Sequence, residues 1–212
     1  MTITLYTVSG SVPGWKVHLT LEHKQLPYEV RWLSRQAGDL KNPEYLAVNP
    51  RGRVPAITDG DFALWESGVI VEYLEEHWPE RPLLPADARQ RARLRRIATE
   101  AEEFLGDPLL DMERATFLAP PGQQDPALLA RARAAAIAEL PHCDEELDAP
   151  FFGGESPTLA DFTVYPIAAM IRRLTTRFSP EPLEFSPRVA KWMQRIEALP
   201  YYERTFPPHW RS

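Results

Sequence analysis

The first 80 residues alternate between short strand patterns and helical patterns, and the order of these patterns limits the folds open to the chain. Residues 3–8 are β-branched and aromatic, as in a short strand, and a loop rich in Ser and Gly follows them. From Pro13 the apolar residues recur at helical spacing until Leu26-Pro27, and residues 28–33 alternate like a second strand. A strand, a helix and a strand in this order predict a parallel pair of strands.

A second group of elements follows in a different order. Residues 43–46 indicate a short helix, and residues 55–58 and 62–65 flank Asp59-Gly60, the turn signature of a β-hairpin. A helix then begins at Ser67, its predicted N-cap residue, and stops at Trp78-Pro79. Residues 1–79 are therefore predicted to form a compact α/β domain with a mixed sheet.

The pattern changes after residue 79. Residues 80–86 contain two prolines and lack helical periodicity, so they are predicted to be a linker. Residues 87–212 are predicted to form an all-α domain, a helical bundle, because helical spacing continues through most of them. Pro108 is expected to kink or break the first of these helices.

Three later helices have recognisable starts. Asp125 is a predicted N-cap followed by a proline, Thr158 and Asp161 have the spacing of a capping box, and Ser186 precedes another N1 proline. Residues 201–210 are rich in aromatic residues and proline, and we expect this tail to pack back onto the protein.

Composition and charge exclude several classes of protein. The chain is 44% hydrophobic and has no apolar run near the roughly 20 residues of a membrane span. Its formal net charge of −6 argues against binding to nucleic acid. A single cysteine, Cys143, excludes an intrachain disulfide, and the five histidines lack metal-ligand spacing. With no secretory signal at the start, we expect a soluble, cytoplasmic protein without a metal.

Three short motifs carry the candidate chemistry, and each has a structural alternative. Ser11 lies before the first helix, where its hydroxyl can donate to an anionic sulfur or, like Ser9, simply cap the helix. A cis Val54-Pro55 bond would aim the Val54 backbone at an extended peptide, whereas a trans bond is the commoner form. Glu66-Ser67 opens a helix whose free amides suit a carboxylate, or it is only a helix cap.

Longer motifs extend over nearly the whole chain. They are KVHLTLE at residues 16–22, NPEYL at 42–46, NPRGRVP at 49–55, LWESGVIVEYL at 64–74 and SPTLADF at 156–162. In this combination the chain resembles the cytosolic glutathione S-transferase family, in its serine-type, bacterial-like form. The resemblance implies a thioredoxin-like N-terminal domain joined to an all-α helical bundle, and usually a two-fold dimer.

The resemblance also implies roles for individual residues. By position, Ser11 would activate the thiol of glutathione, with Ser9 or Tyr6 as the alternatives if the alignment shifts or a tyrosine takes this role. The resemblance further implies that Pro55 is cis and that Thr158 and Asp161 serve folding. The implied glutathione-binding residues are Lys41 and Arg53 at the glycyl carboxylate, Val54 and Pro55 at the cysteinyl unit, and Glu66 and Ser67 at the γ-glutamyl end.

These features predict a glutathione transferase that uses glutathione as a cosubstrate and attacks a hydrophobic electrophile, with a role in detoxification. One alternative is a glutathione-dependent isomerase, lyase or dehalogenase on the same scaffold. The loop at residues 10–15 departs from the Ser-Ser-Cys arrangement of maleylacetoacetate isomerases and has no cysteine for thiol transfer. A second alternative is a non-catalytic glutathione-transferase-like binding module. The expected partners are therefore small molecules and a second copy of the chain, without nucleic acid or membrane.

Overall fold

The computed structural model describes residues 2–147 and 149–211, and four strands form a mixed sheet in its N-terminal part. The strands are β1 (Ile3–Thr7), β2 (Tyr28–Trp32), β3 (Ala56–Asp59) and β4 (Phe62–Trp65), in the order β2-β1-β3-β4. β1 is parallel to β2 and antiparallel to β3, and β3 is antiparallel to β4. The predicted parallel pair and the predicted hairpin are both confirmed.

Three helices complete this part of the fold: α1 (Val12–Lys24), α2 (Pro43–Val48) and α3 (Ser67–His77). A Cβ on Gly14 of α1 would lie 2.0 Å from Thr7 Oγ1, so α1 packs closely on the face of the sheet that Thr7 occupies. Side chains alternate along a strand, so Tyr6 points to the other face, where its ring lies 5.8 Å from that of Tyr45 in α2. The sheet therefore has helices on both faces.

The chain divides into two compact units. One consists of Met1–Leu83 with Leu199–Ser212, and the other of Leu84–Ala198. The domain boundaries suggested by the sequence, at residues 79–80 and 86–87, stay a prediction. The first unit contains the whole sheet, and a C-terminal segment adds α9 (Tyr202–Thr205) and a 3-10 turn (Pro208–Trp210) to it. The expectation that this tail packs back onto the protein is confirmed.

The second unit is helical throughout its regular elements. These are α4 (Ala88–Glu100), a π-helical turn (Ala101–Leu105), α5 (Gly106–Ala115), α6 (Pro126–Glu146), α7 (Leu159–Phe178) and α8 (Pro187–Glu197). α7 is buried along nearly its whole length and forms the centre of the unit. The thioredoxin-like sheet domain and the all-α bundle therefore match the predicted fold class.

The sequence signals for helix starts differ in outcome. Asp125 and Ser186 accept hydrogen bonds from backbone amides at the predicted N-caps, and Asp161 reaches back to the amide of Thr158. Pro108 does not break the helix. It follows a π-helical turn instead, since a proline at 108 offers no N–H to the carbonyl of Phe104 and crowds it.

Within the described residues, no helix combines the length and the apolar character needed to cross a membrane.

Candidate active site

The sheet topology brings three of the predicted motifs to one end of the sheet. Strands β1 and β4 end there, and the antiparallel β3 begins there. In register, Tyr6 pairs with Ala56 and Ala56 pairs with Trp65. Ser11 follows β1, Val54-Pro55 precedes β3, and Glu66-Ser67 follows β4. The motifs therefore meet at one end of the sheet although up to 56 positions separate them in the sequence.

Ser11 is the N-cap of α1, and its backbone is extended with φ −67° and ψ 114°. Its Oγ accepts a hydrogen bond from the Gly14 amide at 3.3 Å, so the side chain caps the helix as the structural alternative predicted. The capping bond uses only the oxygen. In the described part of the chain the Ser11 hydroxyl donates to no acceptor, so its hydrogen remains available to a ligand at the positive end of α1.

The two alternatives to Ser11 have different surroundings. Ser9 Oγ lies 2.6 Å from His209 Nδ1 and is engaged by the C-terminal tail. Tyr6 lies on the α2 face of the sheet, and the Arg31 guanidinium is 5.7 Å from the centre of its ring. Ser11 alone of the three is an N-cap of α1, so it is the one exposed to the dipole of that helix.

The Val54-Pro55 peptide bond is cis, as the family resemblance implied. The preceding loop is held from two sides, because the Tyr45 hydroxyl and Asn49 Nδ2 both donate to the carbonyl of Arg53. Burial raises the pKa of Tyr45 to about 12, which keeps its hydroxyl a donor. The N–H and C=O of Val54 have no hydrogen-bond partner among residues 2–147 and 149–211. They remain free to pair with an extended peptide.

Lys41 and Arg53 are both exposed, and their segments lie side by side. Gly52 has a φ of +59°, and a Cβ there would lie 2.7 Å from the carbonyl oxygen of Leu40, so only glycine fits this approach. Because Gly52 precedes Arg53 and Leu40 precedes Lys41, the close contact places two cations on one side of the site. A carboxylate is the ligand group that suits them.

Glu66 and Ser67 lie at the start of α3, but not as predicted. Ser67 is not the N-cap; it is the first helical residue, and Glu66 occupies the N-cap position without a side-chain capping bond. The backbone of Glu66 has φ 70° and ψ 111°, outside the extended region that a capping residue normally adopts. A non-glycine residue at positive φ is uncommon, and such strain concentrates at functional sites.

The first turn of α3 therefore presents unpaired donors. The amides of Ser67, Gly68 and Val69 have no partner in the part of the chain that the structure describes. The Lys16 ammonium adds a positive charge, since a Cβ on Gly68 would lie 3.9 Å from Lys16 Nζ. Free amides, a helix N-terminus and an ammonium together favour an anion here, and the exposed Glu66 carboxylate beside them suits an ammonium group.

Some contributors were not found from the sequence. The roles of Lys16, Asn49 and Tyr45 were missed because their contacts depend on packing between elements. Asn49 did leave a signal, since its Oδ1 accepts from the Arg51 amide at 3.0 Å in an Asx turn, a motif that Asn-Pro-Arg-Gly indicates. The contact between His209 and Ser9 left no local signal at all.

Among the described residues, no group of three or more His, Cys, Asp or Glu side chains is arranged to hold a metal. Cys143 lies in α6, where burial raises the pKa of its thiol to about 11, so it is not a reactive thiolate at neutral pH.

Sequence comparison identifies both halves of the chain. Residues 11–77 match the family "Glutathione S-transferase, N-terminal domain", and residues 108–200 match "Glutathione S-transferase, C-terminal domain". The human glutathione S-transferase theta-2 is 30% identical over 217 residues, which cover 94% of this chain and 82% of that protein. A maleylacetoacetate isomerase of Pseudomonas aeruginosa is 41% identical over 97 residues, which cover 44% of this chain and 46% of the isomerase.

Solved structures show the same similarity in three dimensions. A glutathione transferase from Phanerochaete chrysosporium, in complex with oxidized glutathione, superposes with a TM-score of 0.81 at 28% sequence identity. The match covers 96% of this chain and 94% of that chain.

Proposed function

Since this chain belongs to the glutathione S-transferase family and is a glutathione transferase, we propose that Ser11 activates the glutathione thiol for attack on a hydrophobic electrophile. The observation that carries the assignment to Ser11 is its bonding at the start of α1. The Oγ accepts from Gly14 and leaves the hydroxyl hydrogen for the sulfur.

The hydroxyl stabilises the thiolate without ionising itself. A free thiol has a pKa of about 8.5, so at neutral pH it is mostly protonated. Lowering this pKa by two units requires about 2.7 kcal/mol of stabilisation of the thiolate over the thiol. One charge-assisted hydrogen bond from Ser11 and the dipole of α1 are together of that size.

The rest of the tripeptide fits the end of the sheet at which the three motifs meet. The free N–H and C=O of Val54 pair with the backbone of the cysteinyl unit beside Pro55. The γ-glutamyl carboxylate binds the first-turn amides of α3 at Ser67, and its ammonium binds Glu66. Lys41 and Arg53 bind the glycyl carboxylate. Bound oxidized glutathione in the Phanerochaete chrysosporium relative supports a glutathione site on this fold.

Binding of both reactants supplies much of the rate acceleration. A thiolate held next to an electrophile reacts as if at a very high local concentration. The electrophile is a hydrophobic small molecule, and conjugating it to glutathione is a detoxification reaction. By analogy with the family we also propose a homodimer and, from the single cysteine, a cytoplasmic location.

A glutathione-dependent isomerase is the second candidate, because 97 residues of the chain match the Pseudomonas aeruginosa maleylacetoacetate isomerase at 41% identity. The match covers less than half of the isomerase, and the Ser9-Gly10-Ser11-Val12 loop lacks the Ser-Ser-Cys arrangement of such enzymes. Assay of maleylacetoacetate isomerisation beside conjugation distinguishes the two activities.

The test combines binding, turnover and the ionisation of bound glutathione. We expect the wild-type protein to be retained on immobilised glutathione and to conjugate a generic aryl halide. In Ser11→Ala, the pKa of the bound thiol should rise by about two units and conjugation at neutral pH should fall about 10²-fold, while retention persists. The pKa is read from the ultraviolet absorbance of the thiolate against pH.

Ser186→Ala is the matched control, because Ser186, like Ser11, is an N-cap serine with a proline in the first turn of its helix. It removes a comparable helix cap and should leave the thiol pKa unchanged. Retention without turnover would favour the non-catalytic binding module. An unchanged thiol pKa in Ser11→Ala would refute the role of Ser11.

A further inference from the structure

The turn that carries Ser11 is in contact with the C-terminal end of the chain. Val8, Ser9, Gly10 and Ser11 form a turn closed by a 3.0 Å hydrogen bond from the Ser11 amide to the Val8 carbonyl. Ser9 Oγ lies 2.6 Å from Nδ1 of His209, a residue 200 positions away. His209 therefore bonds to a side chain two residues before Ser11.

The same imidazole also packs on the backbone of the turn. Gly10 has a φ of +79°, and a Cβ there would lie 2.7 Å from His209 Cε1 and 3.2 Å from Trp210 Nε1. No side chain fits at this position, so the side chains of His209 and Trp210 pack directly against the backbone at Gly10. His209 and Trp210 cover the turn directly.

The tail that carries His209 is itself anchored along α1. Trp15 is the main anchor: its ring lies 5.4 Å from that of Trp210 and 6.0 Å from that of Phe206, and its Nε1 donates to Thr205 Oγ1 at 3.0 Å. Further along α1, the tail makes hydrogen bonds or ion pairs at two positions, His23 with Tyr201 and Glu22 with Arg204. A tail held at this many points presents His209 to the turn in one position.

From these contacts, and on the basis of the proposed function, we infer that His209 is a positioning residue: through Ser9 and Gly10 it holds the Ser11 hydroxyl in line with the glutathione sulfur. His209 does not touch the sulfur in this role. The C-terminal tail is then part of the thiol-activating apparatus, although it lies at the opposite end of the sequence.

The physical reason is the sensitivity of thiolate stabilisation to geometry. A charge-assisted hydrogen bond weakens steeply when its angle or length departs from the optimum. A Gly-containing turn has many accessible conformations, and each one that moves Ser11 lowers the fraction of molecules that stabilise the thiolate. The bond from Ser9 to His209 removes much of this freedom. It exists whether the imidazole is neutral or protonated, since the hydroxyl can accept from or donate to Nδ1.

The experiment compares two single variants, His209→Leu and Ser9→Ala, and the double variant that combines them. His209→Leu keeps the volume over Gly10 and removes the hydrogen bond, and Ser9→Ala removes the same bond from the other side. In each we expect the bound thiol to ionise about fivefold less readily, the effect of one ordinary hydrogen bond, with kcat lowered to match and KM for glutathione changed less than about twofold. The double variant should be no worse than either single variant, because both lose one shared contact.

His209→Asn is the rescue variant. Its side-chain amide can replace Nδ1 at Ser9, so we expect the thiol pKa and kcat to return close to those of the wild type. His142→Leu is the control, since His142 is an exposed histidine of α6 and should leave both quantities unchanged.

The outcomes separate this inference from the function on which it rests. If the wild-type protein does not ionise bound glutathione, the proposed function fails. If the wild type does so and His209→Leu has the same thiol pKa and kcat, the positioning role of His209 is refuted. Additive effects in the double variant, or the absence of rescue by His209→Asn, would also contradict it.

Discussion

His18, Tyr28 and Glu22 form a chain of hydrogen bonds on one side of α1. The Tyr28 hydroxyl donates to Glu22 Oε1 at 2.5 Å, so it can only accept from His18, whose Nε2 lies 2.8 Å away. The proton of the neutral imidazole is therefore on Nε2. Burial lowers the pKa of His18 to about 4, against the opposing charge of Glu22. Burial lowers the pKa of His23, which bonds to Tyr201, to about 4 as well.

These two histidines should make folding sensitive to acid. A histidine whose pKa is lowered in the folded protein binds its proton more readily when unfolded, so its stabilisation is complete above pH 6.5 and is lost as the pH falls toward 4. Between pH 7.5 and 5 we expect each residue to reduce the free energy of unfolding by about 2 kcal/mol. His18→Gln keeps a donor to Tyr28 and does not titrate.

The measurement is urea unfolding at the two pH values. The loss of stability between them should be about 2 kcal/mol smaller in His18→Gln than in the wild type, while the exposed His142→Gln behaves as the wild type. Equal losses in His18→Gln and the wild type would mean that His18 does not carry this pH dependence.

At the scale of elements, helix starts divide into two kinds. Most begin with a side chain that accepts from a first-turn amide, as Ser11, Asn42, Asp87, Asp125 and Ser186 do. α3 has no such cap, and its free amides lie at the proposed ligand site.

The start of α7 is the opposite case, because its buried Asp161 accepts four hydrogen bonds. They come from the Thr158 amide and hydroxyl, the Phe152 amide and Trp192 Nε1. Burial raises the pKa of Asp161 to about 6 although these bonds oppose the shift.

Asp161→Asn should therefore destabilise the helical unit strongly. The asparagine NH2 replaces one carboxylate oxygen, so the two buried donors that bonded to that oxygen face another donor and lose their acceptor. Unsatisfied buried groups of this kind cost about 3 kcal/mol together. The matched control is Asp125→Asn, an exposed N-cap of α6 at which asparagine is as good as aspartate. Urea unfolding should show the loss in the first variant and less than about 0.5 kcal/mol in the second. Similar small changes in both would show that the Asp161 network contributes little.

At the scale of the whole molecule, chain order and spatial organisation differ. The last residues of the chain belong to the same compact unit as the sheet, although the sequence from Leu84 to Ala198 forms the other unit. Trp15 holds this connection, since it contacts Tyr202, Phe206 and Trp210 and donates to Thr205. The unit that contains the proposed glutathione site is thus completed only when the end of the chain is present.

Truncation after Ala198 should therefore damage the glutathione site although it removes none of the proposed ligand contacts. Losing the aromatic contacts of Trp15 should lower the stability of this unit by at least about 3 kcal/mol and abolish retention on immobilised glutathione. Truncation after Trp210 keeps these contacts and serves as the control. A chain ending at Ala198 that binds glutathione as well as the wild type would contradict this view of the tail.

Local signals account for much of the agreement between sequence and structure. The hairpin follows from Asp59-Gly60, and the starts of α6, α7 and α8 follow from Asp125, Thr158 and Ser186, because turn and cap preferences depend on neighbouring backbone atoms. The prediction from local preferences was wrong at Ser67. A cap was predicted there, and the positive φ of Glu66, which sequence preferences disfavour, moved the helix start by one residue.

The sequence by itself determined the order of elements, the parallel β1–β2 pair, the family and the residues proposed to meet glutathione, because these are encoded in local patterns and motifs. Only the tertiary structure decided that Ser9 is engaged by His209, that Lys16 lies at the start of α3 and that Gly52 brings the segments of Lys41 and Arg53 together. Such contacts join residues far apart in the chain. They depend on how whole elements pack, and no local preference records that packing.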